Sequence, residues 1–250
     1  MMSMDFLLTC GQVTGQLTDY QEGALAPMAQ LRIRLHLALC HGCQGFLASI
    51  RALPKLMATT QTDADLDIAR AVLAKAKARL GEPRMARIPA TLAAELAAGG
   101  EPLLRLQALA HLALAEGRVS TQEPYLPPEV LEHLPSPEAW KWWSLGLGGA
   151  RVTKLTTSAD NKYELLLMAL PRRSRVPTHQ HLGSESVLIL QGGLDDRTTI
   201  AEPGHWRFYD KGHPDHAPTS TPEGCWALIR VEVDGIRFKG WRGWFQTFLG

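Results

Sequence analysis

The sequence predicts an α + β protein of two domains, a helical bundle followed by a small antiparallel β-barrel or jelly roll. Apolar residues recur at helical spacing between Cys10 and Glu116. Short β-like runs separated by turn residues follow from residue 151 onward, and a proline-rich stretch divides the two halves. We therefore place a helical domain at residues 1–118, a linker at 119–137 and a β domain at 138–250.

Length and charge narrow the classes of function. The chain has 250 residues, 45% of them hydrophobic, and a formal net charge of +1. Because this net charge does not indicate a strongly basic surface, the sequence favours a protein partner over direct contact with nucleic acid. No apolar run approaches the roughly 20 residues that cross a bilayer, and residues 1–9 lack the features of a secretory signal. We expect a cytoplasmic protein without membrane contact.

Helical periodicity divides the first half of the chain into several short helices. The first runs from Cys10 to about Glu22 and ends at Gly23, and the second begins near Pro27 and runs toward Cys40. The third is predicted at residues 44–57, where Pro54 is expected to end or bend it. Further helices are predicted at residues 63–80, 90–98 and 103–116, with a short one at 129–134.

Three soft metal ligands lie within eight residues at the end of the second helix. His36 and Cys40 are four residues apart and can share one helix face, and Gly42 lets the backbone turn so that Cys43 joins them. A structural zinc ion takes four nitrogen or sulfur ligands, and Cys10 is the only other cysteine in this half. We predict a zinc site of Cys10, His36, Cys40 and Cys43.

Two other interpretations of this cluster remain open. Cys40 and Cys43 could form a redox pair or be two small buried residues. His41 could replace His36 as the imidazole ligand.

The same residues carry a resemblance to a known family. The segment is similar to the zinc-binding anti-sigma domain of bacteria through Cys10, Leu17, Asp19, Tyr20, Gly23, Leu25, His36, Leu37, Cys40, His41, Gly42 and Cys43. The resemblance implies a zinc-bound helical hairpin followed by a helix that grips a sigma factor. The predicted helix at 63–80 is the candidate, because its narrow alanine-rich face needs something to pack on. A merely structural role is the alternative.

The second half predicts short strands bounded by turn residues. The β-like runs lie at residues 151–157, 163–170, 186–191, 206–210 and 226–233. Many short strands at nearly even spacing are typical of a small barrel or jelly roll.

A second group of possible metal ligands lies within these strands. His179 and His181 are two residues apart, so on a strand they point to the same side, and Glu185 follows beyond a short turn. His216, just before the last long strand, could complete a site of three histidines and one carboxylate. His213 is the alternative to His216. Cys225, which precedes a tryptophan in an apolar run, is interpreted as a core residue.

This segment resembles the cupin family, and the order of the two modules resembles ChrR-type anti-sigma factors. The motif His179-Gln-His181-Leu-Gly-Ser-Glu185 matches, although Arg173 stands where a glycine is usual and Gly212 lies one residue further from His216 than is usual. The ligand types suit Zn, Fe, Mn, Ni or Cu. The resemblance implies zinc.

The resemblance implies a cytoplasmic anti-sigma factor without catalytic residues. Its zinc domain would hold a sigma factor of the extracytoplasmic-function type, and its cupin domain would sense an oxidative signal such as singlet oxygen. The alternative is a metal-dependent cupin enzyme, a dioxygenase or an isomerase, in which the helical zinc domain serves assembly.

Overall fold

The computed structural model describes residues 8–59, 84–118, 122–145, 148–197 and 199–239, with the side chains of 53–59 and 84 left out. The contacts divide the chain into two compact units, residues 1–86 and 87–250. The predicted helix at 63–80 lies outside the described residues. Within them, no helix is long and apolar enough to cross a membrane.

The first unit is a small group of helices. They are α1 (Cys10–Thr14), α2 (Leu17–Gln21), α3 (Pro27–Leu39) and α4 (His41–Thr59), and a short strand β1 (Arg84–Ala86) follows. The single helix predicted from Cys10 to Glu22 is wrong, because Gly15 caps α1 and Gln16 leaves the helical conformation. Of the two effects expected of Pro54, an end to the helix does not occur, since α4 continues to Thr59.

The second unit begins with helices that pack on a sheet. These are α5 (Ala90–Gly99), α6 (Pro102–Ala115) and α7 (Pro128–Leu131), and a 3-10 turn (Pro137–Ala139) precedes the strands. We predicted α5 and α6 as part of the first domain. They belong to the second unit by their contacts, and Gln107 of α6 donates to the Ser186 carbonyl of β6 at 3.0 Å.

The strands form an antiparallel arrangement in which the sheet order differs from the chain order. They are β2 (Trp142–Ser144), β3 (Arg151–Thr157), β4 (Tyr163–Leu170), β5 (His179–His181), β6 (Glu185–Asp195), β7 (Ile200–Ala201), β8 (Trp206–Tyr209), β9 (Thr219–Glu232) and β10 (Ile236–Phe238). The order is β8-β6-β9-β4-β3-β2, with β7 paired to β6. β5 and β10 form a separate two-stranded sheet that carries His179 and His181.

Two of the predicted strands are longer than expected. β9 begins at Thr219 instead of residue 226, because Pro222 and Gly224 occur within an irregular part of the strand and not in a turn. Gly192 of β6 and Gly224 of β9 both have positive φ, +68° and +84°. They face each other so closely that a Cβ at Gly192 would collide with the Gly224 carbonyl.

Candidate metal centres

The first cluster brings together all four ligands predicted in the helical half. Donor atoms of Cys10, His36, Cys40 and Cys43 lie within 4.8 Å of one another. Cys10 Sγ is 3.8 Å from Cys40 Sγ, and His36 Nε2 is 3.1 Å from Cys43 Sγ. Cys40 and Cys43 are buried, whereas Cys10 is partly exposed.

Local backbone structure positions these side chains. Thr9 and Gln12 form a reciprocal capping box, which starts α1 at Cys10. Cys40 has φ −112° and ψ 98°, so it interrupts the helix between α3 and α4 and turns the chain at the cluster. The Cys43 backbone N–H then donates to Cys40 Sγ at 3.4 Å.

Hydrogen bonding orients the imidazole of His36. Its Nδ1 lies 2.8 Å from the Leu8 carbonyl oxygen, which can only accept, so Nδ1 carries the proton. The lone pair of Nε2 is left facing the sulfur atoms. This arrangement, with one ring nitrogen donating to a carbonyl and the other directed at the site, is typical of metal-bound histidine.

The first cluster fits a zinc ion in shape and chemistry. Sulfur ligands about 2.3 Å from a tetrahedral zinc lie about 3.8 Å apart, close to the separation of Cys10 and Cys40. Hydrogen bonds that the Cys43 thiol donates to Cys10 and Cys40, together with burial, raise its pKa. A bound cation reverses this effect and favours the thiolate. The geometry does not support His41 as the imidazole ligand, because the cluster among the described residues contains His36 and not His41.

The second cluster joins three histidines of the β unit. The Nε2 atoms of His179 and His181 lie 2.9 and 2.8 Å from Nε2 of His216. His216 is brought there by backbone hydrogen bonds to His179, of which His179 N to His216 O is 3.1 Å. His179 and His181 are buried and His216 is partly buried.

The hydrogen bonds of Nδ1 in His179 and His216 explain why a cation is needed between their Nε2 atoms. His179 Nδ1 donates to the Pro177 carbonyl at 2.9 Å, and His216 Nδ1 donates to Asp196 Oδ1 at 3.0 Å. In the neutral rings, both Nε2 atoms therefore present lone pairs to each other. Such a contact is unfavourable unless a proton or a metal ion lies between them, so the residues present fit a divalent metal.

Burial keeps the histidines in the neutral form that binds metal. It lowers the pKa of His179 to about 4. Burial also lowers the pKa of His181 to about 2, with repulsion from His179 and His216 adding to the effect. Neutral imidazole is the form that ligates transition metals.

Glu185 lies at the edge of this cluster. Its Oε2 is 3.3 Å from His181 Nδ1, without the alignment of a hydrogen bond, and it is not part of the group of converging ligand atoms. Burial, with repulsion from Asp196, raises the pKa of the Glu185 carboxyl to about 8. A nearby cation would favour its ionised form.

His213, the alternative to His216, is adjacent to the cluster but outside it. Its ring centre lies 5.0 Å from that of His216 and 5.5 Å from that of His181. Its Nδ1 faces the Pro214 carbonyl at 3.0 Å. The described geometry therefore favours His216 as the third histidine.

Sequence reasoning missed the residue that holds His216 in place. Asp196 binds His216 Nδ1 through Oδ1 and Arg207 Nη1 through Oδ2, both at 3.0 Å. Burial opposes ionisation of Asp196, but the hydrogen bond from His216 and the charge of Arg207 outweigh it and lower the pKa. Asp196 lies 20 residues before His216. No spacing rule joins the two, so only the pairing of β6 with β8 and β9 reveals the contact.

Comparison with known proteins identifies both segments. Residues 132–232 match a family model described as the ChrR cupin-like domain, and residues 10–44 match one described as a putative zinc-finger. A search of curated protein sequences finds no match.

Solved structures similar to the chain include one complex, one dioxygenase and one cupin. The structure of Rhodobacter sphaeroides SigE in complex with the anti-sigma ChrR matches at 25% identity, with 86% of this chain and 94% of that chain covered and a TM-score of 0.34. An acetylacetone dioxygenase from Acinetobacter johnsonii matches at 17% identity over 50% and 83% of the chains, with a TM-score of 0.38. An RmlC-like cupin from Shewanella frigidimarina matches at 17% identity over 40% and 89%, with a TM-score of 0.35.

The two family matches fall on the two clusters. The zinc-finger match contains Cys10, His36, Cys40 and Cys43, and the cupin-like match contains His179, His181, Glu185 and His216. The predicted resemblance is thereby confirmed: residues 132–232 match the ChrR cupin-like domain and follow, in the same chain, a segment that matches a putative zinc-finger.

Proposed function

We propose that this chain is a cytoplasmic anti-sigma factor that holds a sigma factor of the extracytoplasmic-function type and releases it in response to an oxidative signal. The observation that carries the proposal is the combination of a Cys/His cluster in a zinc-finger segment with a ChrR cupin-like domain. In the R. sphaeroides complex, an anti-sigma ChrR is bound to SigE. A sigma factor is accordingly the proposed partner here.

The proposed zinc ligands of the first unit are Cys10, His36, Cys40 and Cys43. These side chains connect α1 with the junction of α3 and α4. The three helices share a small core around Val13, Ile33 and Leu47. Bound zinc would contribute folding free energy, on the order of 10 kcal/mol in small zinc domains. The shape of the helical unit, and with it the surface offered to a sigma factor, would then depend on the four ligands.

The proposed metal ligands of the cupin-like unit are His179, His181, His216 and Glu185, with zinc or another divalent transition metal. Their support is the convergence of three Nε2 atoms and the buried carboxyl of Glu185 beside His181. We assign the response to oxidants such as singlet oxygen to this unit. In the first unit, the thiols that could respond directly are those of the cluster, the buried Cys40 and Cys43 and the partly exposed Cys10.

The experiment compares three variants of the full chain. Each is co-expressed with the sigma factor of the extracytoplasmic-function type, from the same genome, that the wild-type chain captures. Cys40→Ser should lose one zinc equivalent and the sigma factor together. Cys225→Ser, which lies outside both clusters, should keep both. His179→Ala should keep sigma binding but weaken release by singlet oxygen. Sigma capture by Cys40→Ser after full loss of the first zinc would contradict the proposal, as would a wild-type chain that captures no sigma factor of that genome.

The second candidate is a metal-dependent cupin enzyme, a dioxygenase or an isomerase. The observation in its favour is a cavity that reaches His179, Glu185 and His216. Turnover of a small molecule by the metal-loaded chain, lost in His179→Ala and unaffected by Cys40→Ser, would favour the enzyme.

A further inference from the structure

His181 differs from the other two histidines of the second cluster in what holds its ring. His179 and His216 each donate a hydrogen bond from Nδ1, to the Pro177 carbonyl and to the Asp196 carboxylate. Nδ1 of His181 is buried and has no hydrogen-bond partner among the described residues. The last torsion of a histidine side chain is only weakly restricted by itself, so another contact has to set the angle of this ring.

Tyr209 provides that contact on the face of the His181 ring. The two rings lie nearly parallel, with their centres 4.7 Å apart and an angle of 20° between their planes. Stacking at this separation is a favoured arrangement of aromatic side chains. The ring of a metal-bound imidazole carries part of the charge of the cation, and the π face of tyrosine attracts positive charge. The stack therefore restricts the rotation of His181 and is strengthened when the site is loaded.

Backbone pairing fixes Tyr209 beside His181. Tyr209 is the last residue of β8 and pairs with Glu185, the first residue of β6, which follows His181 by four residues. The N–H of Gly212, in the turn after β8, donates to the His181 carbonyl at 2.9 Å. These bonds hold the backbone of Tyr209 close to that of His181, and the tyrosine side chain is buried.

The same side chain also reaches the support of a second ligand. The Tyr209 hydroxyl donates to Asp196 Oδ2 at 3.3 Å, while Asp196 Oδ1 accepts the hydrogen bond from His216. The Tyr209 ring meets the His216 ring at 61°, with the centres 4.7 Å apart. One residue of β8 therefore contacts two of the three imidazoles, although no motif of the sequence singled it out.

We propose that Tyr209 is the positioning residue of His181 in the metal centre of the cupin-like unit, and that it acts through the stack of the two rings. Its hydroxyl is directed at Asp196, so it is not a metal ligand. This inference rests on the metal ligands proposed above. It adds to them a residue that sets the angle of one ligand and, through that angle, the metal affinity of the site.

The test separates the ring of Tyr209 from its hydroxyl, in full-length zinc-loaded chains labelled with ¹⁵N-histidine. Tyr209→Leu and Tyr209→Met each remove the ring, and Tyr209→Phe keeps it. Two variants without the ring are used so that one that fails to fold does not end the test. A chelator titration followed by NMR of the ring nitrogens measures each site by itself, because His36 reports the first zinc and His181 the second.

We expect the two variants without the ring to bind the second zinc about 10-fold more weakly, within the usual range for loss of a residue that supports a metal ligand. Tyr209→Phe should restore the affinity to within about threefold of the wild type, because the hydroxyl contributes only a long hydrogen bond. The ring-nitrogen resonances of His181 should shift in the variants without the ring. The affinity reported by His36 should not change in any of them.

Phe208→Leu is the matched control for the loss of a buried aromatic ring. Phe208 is the neighbouring residue of β8, is buried and stacks on Trp206. Because side chains alternate along a strand, it faces the opposite side of the sheet from Tyr209. Phe208→Leu and Tyr209→Leu should both be less stable to urea, as measured by far-UV circular dichroism. Only Tyr209→Leu should weaken the second zinc and shift the His181 resonances.

Three results would each overturn the inference: wild-type affinity for the second zinc in a folded variant without the ring, an equal loss of affinity in Tyr209→Phe, or an equal loss in Phe208→Leu. All three would leave the proposed ligands and the proposed sigma factor as they stand. A wild-type chain that holds only the first zinc would instead overturn the proposed ligands of the second site together with this inference.

Discussion

At the scale of single residues, three histidines of the two clusters are oriented by neighbouring acceptors. His36 is oriented by the Leu8 carbonyl, His179 by the Pro177 carbonyl and His216 by the Asp196 carboxylate. That the cysteines and histidines of each cluster lie together could be predicted from the sequence, because Cys and His at short spacing indicate a possible metal site. Their orienting partners could not, since a carbonyl carries no sequence signal and Asp196 is distant from His216 along the chain.

Asp196→Asn tests this support directly. The amide can still contact His216, but it no longer offers a charged acceptor to Nδ1, and it leaves Arg207 without its carboxylate. We expect the affinity of the cupin-like unit for zinc to fall about 10- to 100-fold, the usual cost of losing such a partner. Competition with a chromophoric chelator measures it. The neighbouring Asp195→Asn is the control and should bind zinc as the wild type does. Unchanged affinity in a folded Asp196→Asn protein would contradict the positioning role.

At the scale of elements, short structures depend on a few hydrogen bonds. α1 has only five residues, and its start is fixed by Thr9 and Gln12, with Thr9 N–H donating to Gln12 Oε1 at 2.9 Å. The sequence predicted a helix here but not its break at Gly15, because the apolar spacing of Val13 and Leu17 continues across the interruption. Periodicity detects a buried face and not the continuity of the backbone that carries it.

Thr9→Ala tests whether α1 delivers Cys10 to the cluster. Loss of an N-cap side chain costs about 1 kcal/mol, which corresponds to a roughly fivefold weaker zinc affinity if folding of α1 and zinc binding are coupled. Zinc competition on the full-length protein measures the change. Thr18→Ala, at an exposed position of α2, is the matched control and should leave the affinity unchanged. Equal affinities in the two variants would show that α1 does not depend on its cap.

A buried amide of α6 bonds to two strands of the sheet. Gln107 Nε2 donates to the carbonyls of Ser186 and Leu228 at 3.0 and 2.8 Å, and Ser186 Oγ donates to Gln107 Oε1 at 2.7 Å. Helical spacing placed Gln107 within an apolar run without indicating a partner. The sheet order, which places β6 beside β9, creates the pair of carbonyls that the amide bridges.

Gln107→Leu should therefore destabilise the second unit. The substitution keeps the volume close to that of glutamine but leaves two buried carbonyls and one hydroxyl without this partner, at a cost of about 3 kcal/mol in the free energy of unfolding. Urea unfolding followed by tryptophan fluorescence measures it, because Trp206 is buried in this unit. Arg105→Lys, at an exposed position of the same helix, should change the free energy of unfolding by less than about 0.5 kcal/mol. A Gln107→Leu protein as stable as the wild type would exclude this amide as a structural link.

At the scale of the whole molecule, the two units differ in what holds them together. The first has a small core, in which the buried Cys40 and Cys43 take part alongside aliphatic side chains. The second has a large one, with buried apolar residues in every long strand. The sequence located both modules but assigned α5 and α6 to the first, because an apolar helix does not reveal which surface it covers.

Removal of metal should expose this difference in the intact protein. A chelator strong enough to take both metals leaves two buried thiols, the partly exposed thiol of Cys10 and an imidazole crowded in the first unit, with no cation to hold them, so we expect this unit to lose most of its helical structure. The second unit should remain folded, since its apolar core and most of the β6–β9–β4 pairing lie outside the three histidines, two of which are on the separate β5–β10 sheet. Calorimetry should then show one transition near that of the metal-loaded β unit. The far-UV circular dichroism should show a loss of helix, while the fluorescence of the buried Trp206 is kept.

Cys43→Ser, without chelator, should give the same helical loss. A chelated protein that keeps its full helical signal would mean that the small core alone folds the first unit, and the dependence of partner binding on zinc would then need another cause.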